Sequence, residues 1–205
     1  MKRFTDLYHE LDASNRTTSK LAALKRYFSS VDAADGAWAV FFLTGNRLKR
    51  AIQLKDLRLW AAEACGYPEW MVEECYDHVG DLAETLALLL ASRDAQEHSV
   101  VDISLHAFVE RNLLPLKEME STEQRERLLE LWGGMDASSC FMVNKLITGG
   151  FRVGVSKTLV TRALAEVAEI EPAAMAHRLM GTFQPSAAAY RGLFDAEVQG
   201  DQQAQ

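Results

Sequence analysis

The chain has 205 residues, 48% of them apolar, which is enough for a real core in one domain or two small ones. Twelve glycines and four prolines exclude a low-complexity chain, and the apolar runs Ala37–Leu43 and Leu86–Ala91 are far too short to span a bilayer. The net charge of −7 is the wrong sign for a nucleic-acid binder unless its distribution decides otherwise, and three widely spaced cysteines fit reduced thiols in a cytoplasmic protein.

Taken in order, the pattern is helix after helix. Phe4, Leu7, Tyr8 and Leu11 have helical spacing, and Thr17-Thr18-Ser19 can cap a helix carrying Leu21, Leu24, Tyr27 and Phe28. Asp32–Gly36 reads as a turn before the apolar run Ala37–Leu43. A helix over Leu54–Ala64 stops at Gly66, and Pro68 suits the first position of the next, with Trp70, Met71, Cys75 and Tyr76 on one side. Gly80-Asp81 restarts the chain into Leu82–Leu90, whose leucines predict a buried helix. Arg93–Val101 is a polar link, and Leu105, Phe108 and Val109 mark a short helix. Ser121 with Gln124 is a capping-box candidate ahead of Leu128, Leu129, Leu131 and Trp132. Gly133-Gly134 ends that helix, and Asp136 or Ser138 can cap Phe141–Ile147. Pro172 opens Ala173–Met180, and Pro185-Ser186 opens a last helix through Phe194. Ala196–Gln205 is polar, without a core face, and reads as a tail or linker. No stretch shows strand alternation. The expected fold is all-α, with about a dozen short helices in two similar halves.

The two halves rest on an internal repeat. Shifted by 104 residues, Gly36–Pro68 lies over Cys140–Pro172 without a gap, with six identities in 33 positions. Thr44-Gly45 falls on Thr148-Gly149, Arg58 on Arg162, Ala61 on Ala165, Ala64 on Ala168 and Pro68 on Pro172. The second copy holds the most informative stretch, Lys145–Ala168. Thr148, Gly149 and Gly150 end one helix, and Ser156 is a good N-cap for the next, with Leu159, Val160, Ala163, Leu164 and Val167 on its apolar face. Phe151 and Val153 alternate with Arg152 and Gly154 in a short extended link. A helix start with free N–H groups, flanked by Arg152 and Lys157, suits a phosphate. On these residues alone it reads first as an ordinary helix–turn–helix corner with two solvated cations, and the repeat is what shifts the weight to a phosphate site.

Charge is unevenly spread. Between Leu59 and Ser92 there is no Lys or Arg against seven acids, so that stretch carries the whole net charge. Arg47, Lys49, Arg50, Lys55 and Arg58 cluster within twelve residues at the loop and helix start of the first copy. Two related corners, one in each half, make a pair that could straddle a duplex backbone. Other chemistries find little support. Cys75-x-x-His78 with Cys65 is only half a zinc motif, and Glu73, Glu74, Asp77 and Asp81 read as a solvated face before a cation site. There is no GxxxxGK[ST] loop and no nucleophile elbow, so no catalytic residue and no metal ligand is expected.

Asp81-Leu82-Ala83-Glu84-Thr85 after Val79-Gly80, Leu146–Arg152 with Val153-Gly154-Val155-Ser156, and Ala163–Val167 carry a family resemblance. On them the chain resembles the N-terminal DNA-binding domain of an ATP-dependent DNA ligase, in particular the bacterial multidomain kind. The resemblance covers nearly the whole chain. It implies an all-helical domain at 1–195 with two pseudo-symmetric halves, and a linker at 196–205 towards a nucleotidyltransferase domain and an OB-fold domain. The lysine that takes AMP from ATP in that family sits in a Lys-x-Asp-Gly motif, which is absent here, so the chain alone is expected not to adenylate or seal. ATP and Mg²⁺ are implied only for a full-length ligase working in DNA repair, replication and recombination.

The implied partners are nicked double-stranded DNA and the catalytic domains in cis, with no membrane and a monomeric chain. The DNA-binding residues so implied are Thr148, Gly149, Gly150, Arg152, Gly154, Ser156 and Lys157. Thr44, Gly45, Asn46, Arg47, Lys49 and Arg50 would do the corresponding work in the first half. The three glycines would admit a phosphate closely, Ser156 and Thr148 would donate hydrogen bonds, and Arg152 and Lys157 would supply charge. Asn46 and Arg50 depart from the repeat, standing where the second copy has Gly150 and Gly154. Lys145, Lys55, His177 and Arg178 are weaker flanking candidates. The rival expectation is a helical scaffold that docks protein partners on the acidic face Glu69–Glu84.

Overall fold

A computed structural model describes residues 1–91, 103–151 and 153–195. Arg152, the link at 92–102 and the tail from 196 lie outside the described residues. Twelve α-helices and no strand are present among the described residues, so the fold is all-α. In chain order they are α1 (Lys2–Asp12), α2 (Thr17–Phe28), α3 (Ala33–Leu43), α4 (Leu54–Cys65), α5 (Glu69–Val79) and α6 (Leu82–Ala91). There follow α7 (Leu105–Phe108), α8 (Ser121–Gly133), α9 (Ala137–Thr148), α10 (Lys157–Ala168), α11 (Pro172–Arg178) and α12 (Ala187–Gly192). A π-helical turn at Val109–Leu113 and a 3-10 turn at Pro115–Glu118 join α7 to α8.

The helix bounds recur at the offset of the sequence repeat. Adding 104 to the bounds of α3 gives 137–147, against the observed 137–148 of α9; the bounds of α4 give 158–169, against 157–168 for α10. The corner glycines match as well, with φ of +93° at Gly45 and +73° at Gly149. Thr44 and Thr148 each turn the hydroxyl back onto the carbonyl four residues earlier, of Val40 at 2.6 Å and of Asn144 at 2.8 Å.

The core interleaves elements distant in sequence. Helix α6 packs on α9, α10 on α2 and α11, and α12 on α3. Phe4, Leu11, Leu24, Phe42, Leu57, Leu86, Phe108, Leu128 and Met142 are among its fully buried side chains. None of the helices in the described residues is long and apolar enough to cross a membrane.

Thr17-Thr18-Ser19 does not cap α2, which starts at Thr17 behind Arg16 with no side-chain cap bond, and local expectations fail at three further places for identifiable reasons. Asp32–Gly36 is not a turn, because the Asp32 carboxylate accepts the Ala34 N–H at 2.9 Å and starts α3 at Ala33. Gly36 therefore sits inside a helix, where its missing side chain admits Tyr190. A Cβ at position 36 would lie 2.5 Å from the Tyr190 ring, whose hydroxyl donates to the Phe28 carbonyl at 3.0 Å. Gly36→Ala forces that ring out and is expected to cost about 2 kcal/mol and lower the melting temperature by roughly 6 °C. Calorimetry checks this, and an unchanged midpoint would refute it.

The capping box of α8 lies one residue earlier than expected, with Glu120 and Glu123 exchanging bonds. That frees Gln124 to become a buried donor. On α5 only Val72 is buried, and Trp70 is 66% exposed, so the expected apolar face of that helix is not one.

Candidate nucleic-acid interface

The first corner follows α3. Phe42 at its end is buried, Gly45 takes a left-handed backbone, and Arg47, Lys49 and Arg50 stand exposed in the loop beyond. Two anchors fix this ten-residue connection. Ile52 is buried, and Gln124 of α8 donates to the Ala51 carbonyl at 3.2 Å while also bonding the Leu116 and Met119 carbonyls. Three cations are thus held out on a loop whose far end is tied to the core.

The second corner follows α9, with Gly149 as its left-handed C-cap and Ser156 as the N-cap of α10. The Ser156 Oγ accepts the Leu159 N–H at 3.1 Å, which leaves its own hydroxyl hydrogen to donate. Lys157 is exposed on the first turn of α10. Val153 is buried, and Phe151 stacks on Phe42 with ring centroids 5.3 Å apart and planes 16° from parallel. Phe4 and Tyr8 of α1 complete that aromatic cluster at 5.8 and 5.7 Å from Phe151.

The Phe42–Phe151 stack brings the two corners together. The Arg47 side chain lies across Gly149, with its Cδ and Cβ 3.3 and 3.4 Å from where a Cβ at 149 would stand. Between them lies a cleft of about 430 Å³ lined by Arg47, Leu48, Lys49, Arg50, Thr148 and Gly149. Five of the expected site residues line one cleft. Gly154, Ser156 and Lys157 continue the second corner beside it, and Arg152 lies outside the described residues.

Among the described residues the charges of the cleft have no ion-pair partner. Arg26 pairs with Glu10, Arg125 with Glu63, Arg127 with Glu130, and Lys25 and Arg162 share Glu166. Among the described residues no carboxylate lies within 4.0 Å of Arg47, Lys49, Arg50 or Lys157. Part of the acidic run is spent internally: Glu63 holds Arg125, Glu73 is 3.8 Å from Arg58, and Asp81 holds Lys145. His78 uses Nδ1 on the Glu74 carbonyl, and no cluster of three or more metal-ligating side chains occurs among the described residues.

Two expected roles are corrected. Thr148 and Thr44 direct their hydroxyl hydrogens to helix carbonyls, so Thr148 is not the outward donor expected. Lys145 is no flanking surface cation. It is 5% exposed, lies over the Tyr8 and Phe141 rings, and donates to Asp81 Oδ2 at 2.5 Å. Burial pulls its ammonium down, but Asp81, helped by Tyr8, more than offsets this and holds it above the ordinary lysine value. Burial likewise pushes the Asp81 carboxyl up, while Lys145 and the amides of Glu84 and Ala83 bring it below the usual carboxylate range.

Arg178 spends Nη1 on the Leu193 carbonyl at 2.6 Å. Two of the corner glycines also have close neighbours within the protein. The space a Cβ would need is filled by Arg47 at Gly149 and by the Lys20 ammonium, 2.7 Å away, at Gly154. Lys20 and Gln124 had no signal in the sequence as parts of this site. A lysine in an amphipathic helix and a glutamine after a cap both read as solvated.

These features define a class: an all-helical module in which two glycine corners meet under a row of cations that have no ion-pair partner among the described residues. Residues 1–165 match the family model described as DNA ligase N terminus, and the chain belongs to that family. A comparison with individually curated proteins gives no match.

Proposed function

We propose that this chain binds nicked duplex DNA without sequence preference, as the DNA-binding domain of an ATP-dependent ligase of the bacterial multidomain kind. The observation that supports it most is the convergence of the two corners, which sets Arg47, Lys49 and Arg50 beside Thr148 and Gly149 in one cleft, with no carboxylate of the described residues in ion-pair range of them. Cations held this way neutralise phosphates, and the amide-rich start of α10 adds donors that fit a backbone oxygen; neither reads a base edge. Residues 1–195 form the binding unit in this reading, and 196–205 lead towards catalytic domains in cis. Those domains carry the Lys-x-Asp-Gly lysine that this chain lacks, and ATP and Mg²⁺ act there in sealing nicks during repair, replication and recombination.

The test is fluorescence anisotropy of a nicked, 5′-phosphorylated duplex at several salt concentrations. Neutralising about five phosphates gives a slope of log K against log salt near −4.5. A flat titration with no DNA retained would sink this reading and favour a protein-docking scaffold built on the exposed Glu69, Glu74 and Asp77 of α5.

A further inference from the structure

The second corner is held from behind by a buried cation. Lys20, within α2, is 7% exposed, and among the described residues no carboxylate lies in ion-pair range of it. Its ammonium donates instead to two backbone carbonyls, of Val153 at 2.5 Å and Gly154 at 3.2 Å. A lysine buried without a counter-charge is costly unless its hydrogens are satisfied. These two carbonyls belong to the link that enters α10, so the link and the lysine stabilise each other.

Peptide planarity carries the consequence outward. In a trans peptide the C=O and the following N–H point in opposite directions. With the Val153 and Gly154 carbonyls drawn towards Lys20, the amides of Gly154 and Val155 are turned away from it. Neither amide has a hydrogen-bond acceptor among the described residues. Consecutive outward amides next to a helix N-terminus form a concavity suited to an anion. Gly154, at φ +61°, has its Cβ direction filled by the same ammonium, so Gly154 and Lys20 form one device.

We propose that Lys20 is a positioning residue for phosphate binding: it touches no DNA, and it aims the Gly154 and Val155 amides and the start of α10 at a backbone phosphate. This rests on the DNA-binding reading above. The experiment is a double-mutant cycle of Lys20→Met and Lys157→Ala, reading nicked-duplex affinity and salt slope at a temperature where circular dichroism shows each variant folded. The expected result for Lys20→Met is roughly tenfold weaker binding and a slope shallower by about 1. The double variant is expected to bind no more weakly than Lys20→Met alone, because the same phosphate contact is already lost.

Gly154→Ala, which keeps the lysine but crowds it, is expected to reproduce the loss and serves where Lys20→Met does not fold. A folded Lys20→Met or Gly154→Ala with wild-type affinity and slope, or fully additive effects in the cycle, overturns the role of Lys20. Salt-dependent binding by the wild-type chain beside that result leaves the DNA reading standing. A wild-type chain that binds no DNA overturns both.

Discussion

Replacing Arg47, Lys49 and Arg50 together by alanine is expected to flatten the salt dependence of duplex binding by close to three in slope, since each neutralised phosphate contributes about 0.9. The reasoning is geometric. All three cations line the same cleft, and the described residues offer them no carboxylate partner. Their charge is therefore available to a ligand, whereas that of Arg26 or Arg125 is already taken up by Glu10 or Glu63.

The fold is expected to survive with a stability loss within about 1 kcal/mol, because all three residues are exposed, with the Arg47 methylenes lying on Gly149. Arg26→Ala and Arg125→Ala, each removing one cation already paired within the protein, serve as controls and should leave the slope within a few tenths. Should the triple variant keep the wild-type slope, the cleft is not where phosphates are held.

The second large effect belongs to the support beneath the second corner. Asp81→Ala removes the carboxylate that neutralises Lys145, an ammonium whose side chain is only 6% exposed, and also removes the cap that accepts the Glu84 N–H at 3.0 Å. Breaking a fully buried pair costs about 3–5 kcal/mol. The Asp81 side chain is 36% exposed, so solvent relieves part of this, and about 2–3 kcal/mol is expected. The melting temperature then falls by roughly 5–10 °C.

The pH dependence follows from the direction of each shift. Asp81 is held below its ordinary value in the fold, so its contribution is complete above the ordinary carboxylate range and disappears as pH falls through the folded value. The stability gap between wild type and Asp81→Ala should be full at neutral pH and close from about pH 4 downwards. Lys145 is held above its ordinary value, so its contribution is complete below that value and is lost as pH rises through the folded one, in the alkaline range. Adding Lys145→Met to Asp81→Ala removes the stranded ammonium and should recover part of the loss. A gap independent of pH, or a double variant less stable than Asp81→Ala, would contradict this account of the pair.

Much of the helix order was legible because its signals are local. Asp136 and Ser156 cap the helices they were expected to cap, Gly66 and Gly149 end theirs, and Pro172 opens α11. The failures come from partners far along the chain. Gly36 reads as a turn residue until Tyr190 is seen lying against it, and Trp70 reads as core until the helix around it buries only Val72.

The candidate site divides in the same way. Residue types and the repeat already marked Gly45, Gly149, Arg47, Lys49, Arg50 and Lys157, since left-handed backbone and clustered charge are properties of short segments. Which lysines face solvent is not such a property. Lys145 and Lys20 are spaced like surface residues, yet both are buried, one by Asp81 and two rings, the other by two carbonyls.

By itself, then, the sequence determined an all-helical chain with two basic, glycine-marked corners at a fixed offset, because caps, turns and periodicity act over a few residues; its family follows from the match of residues 1–165 to the DNA ligase N terminus. Only the tertiary structure decided that the corners meet. That meeting depends on the Phe42–Phe151 stack, on Arg47 against Gly149 and on Gln124 at Ala51, contacts between residues far apart in the chain whose closeness is a property of the packed core.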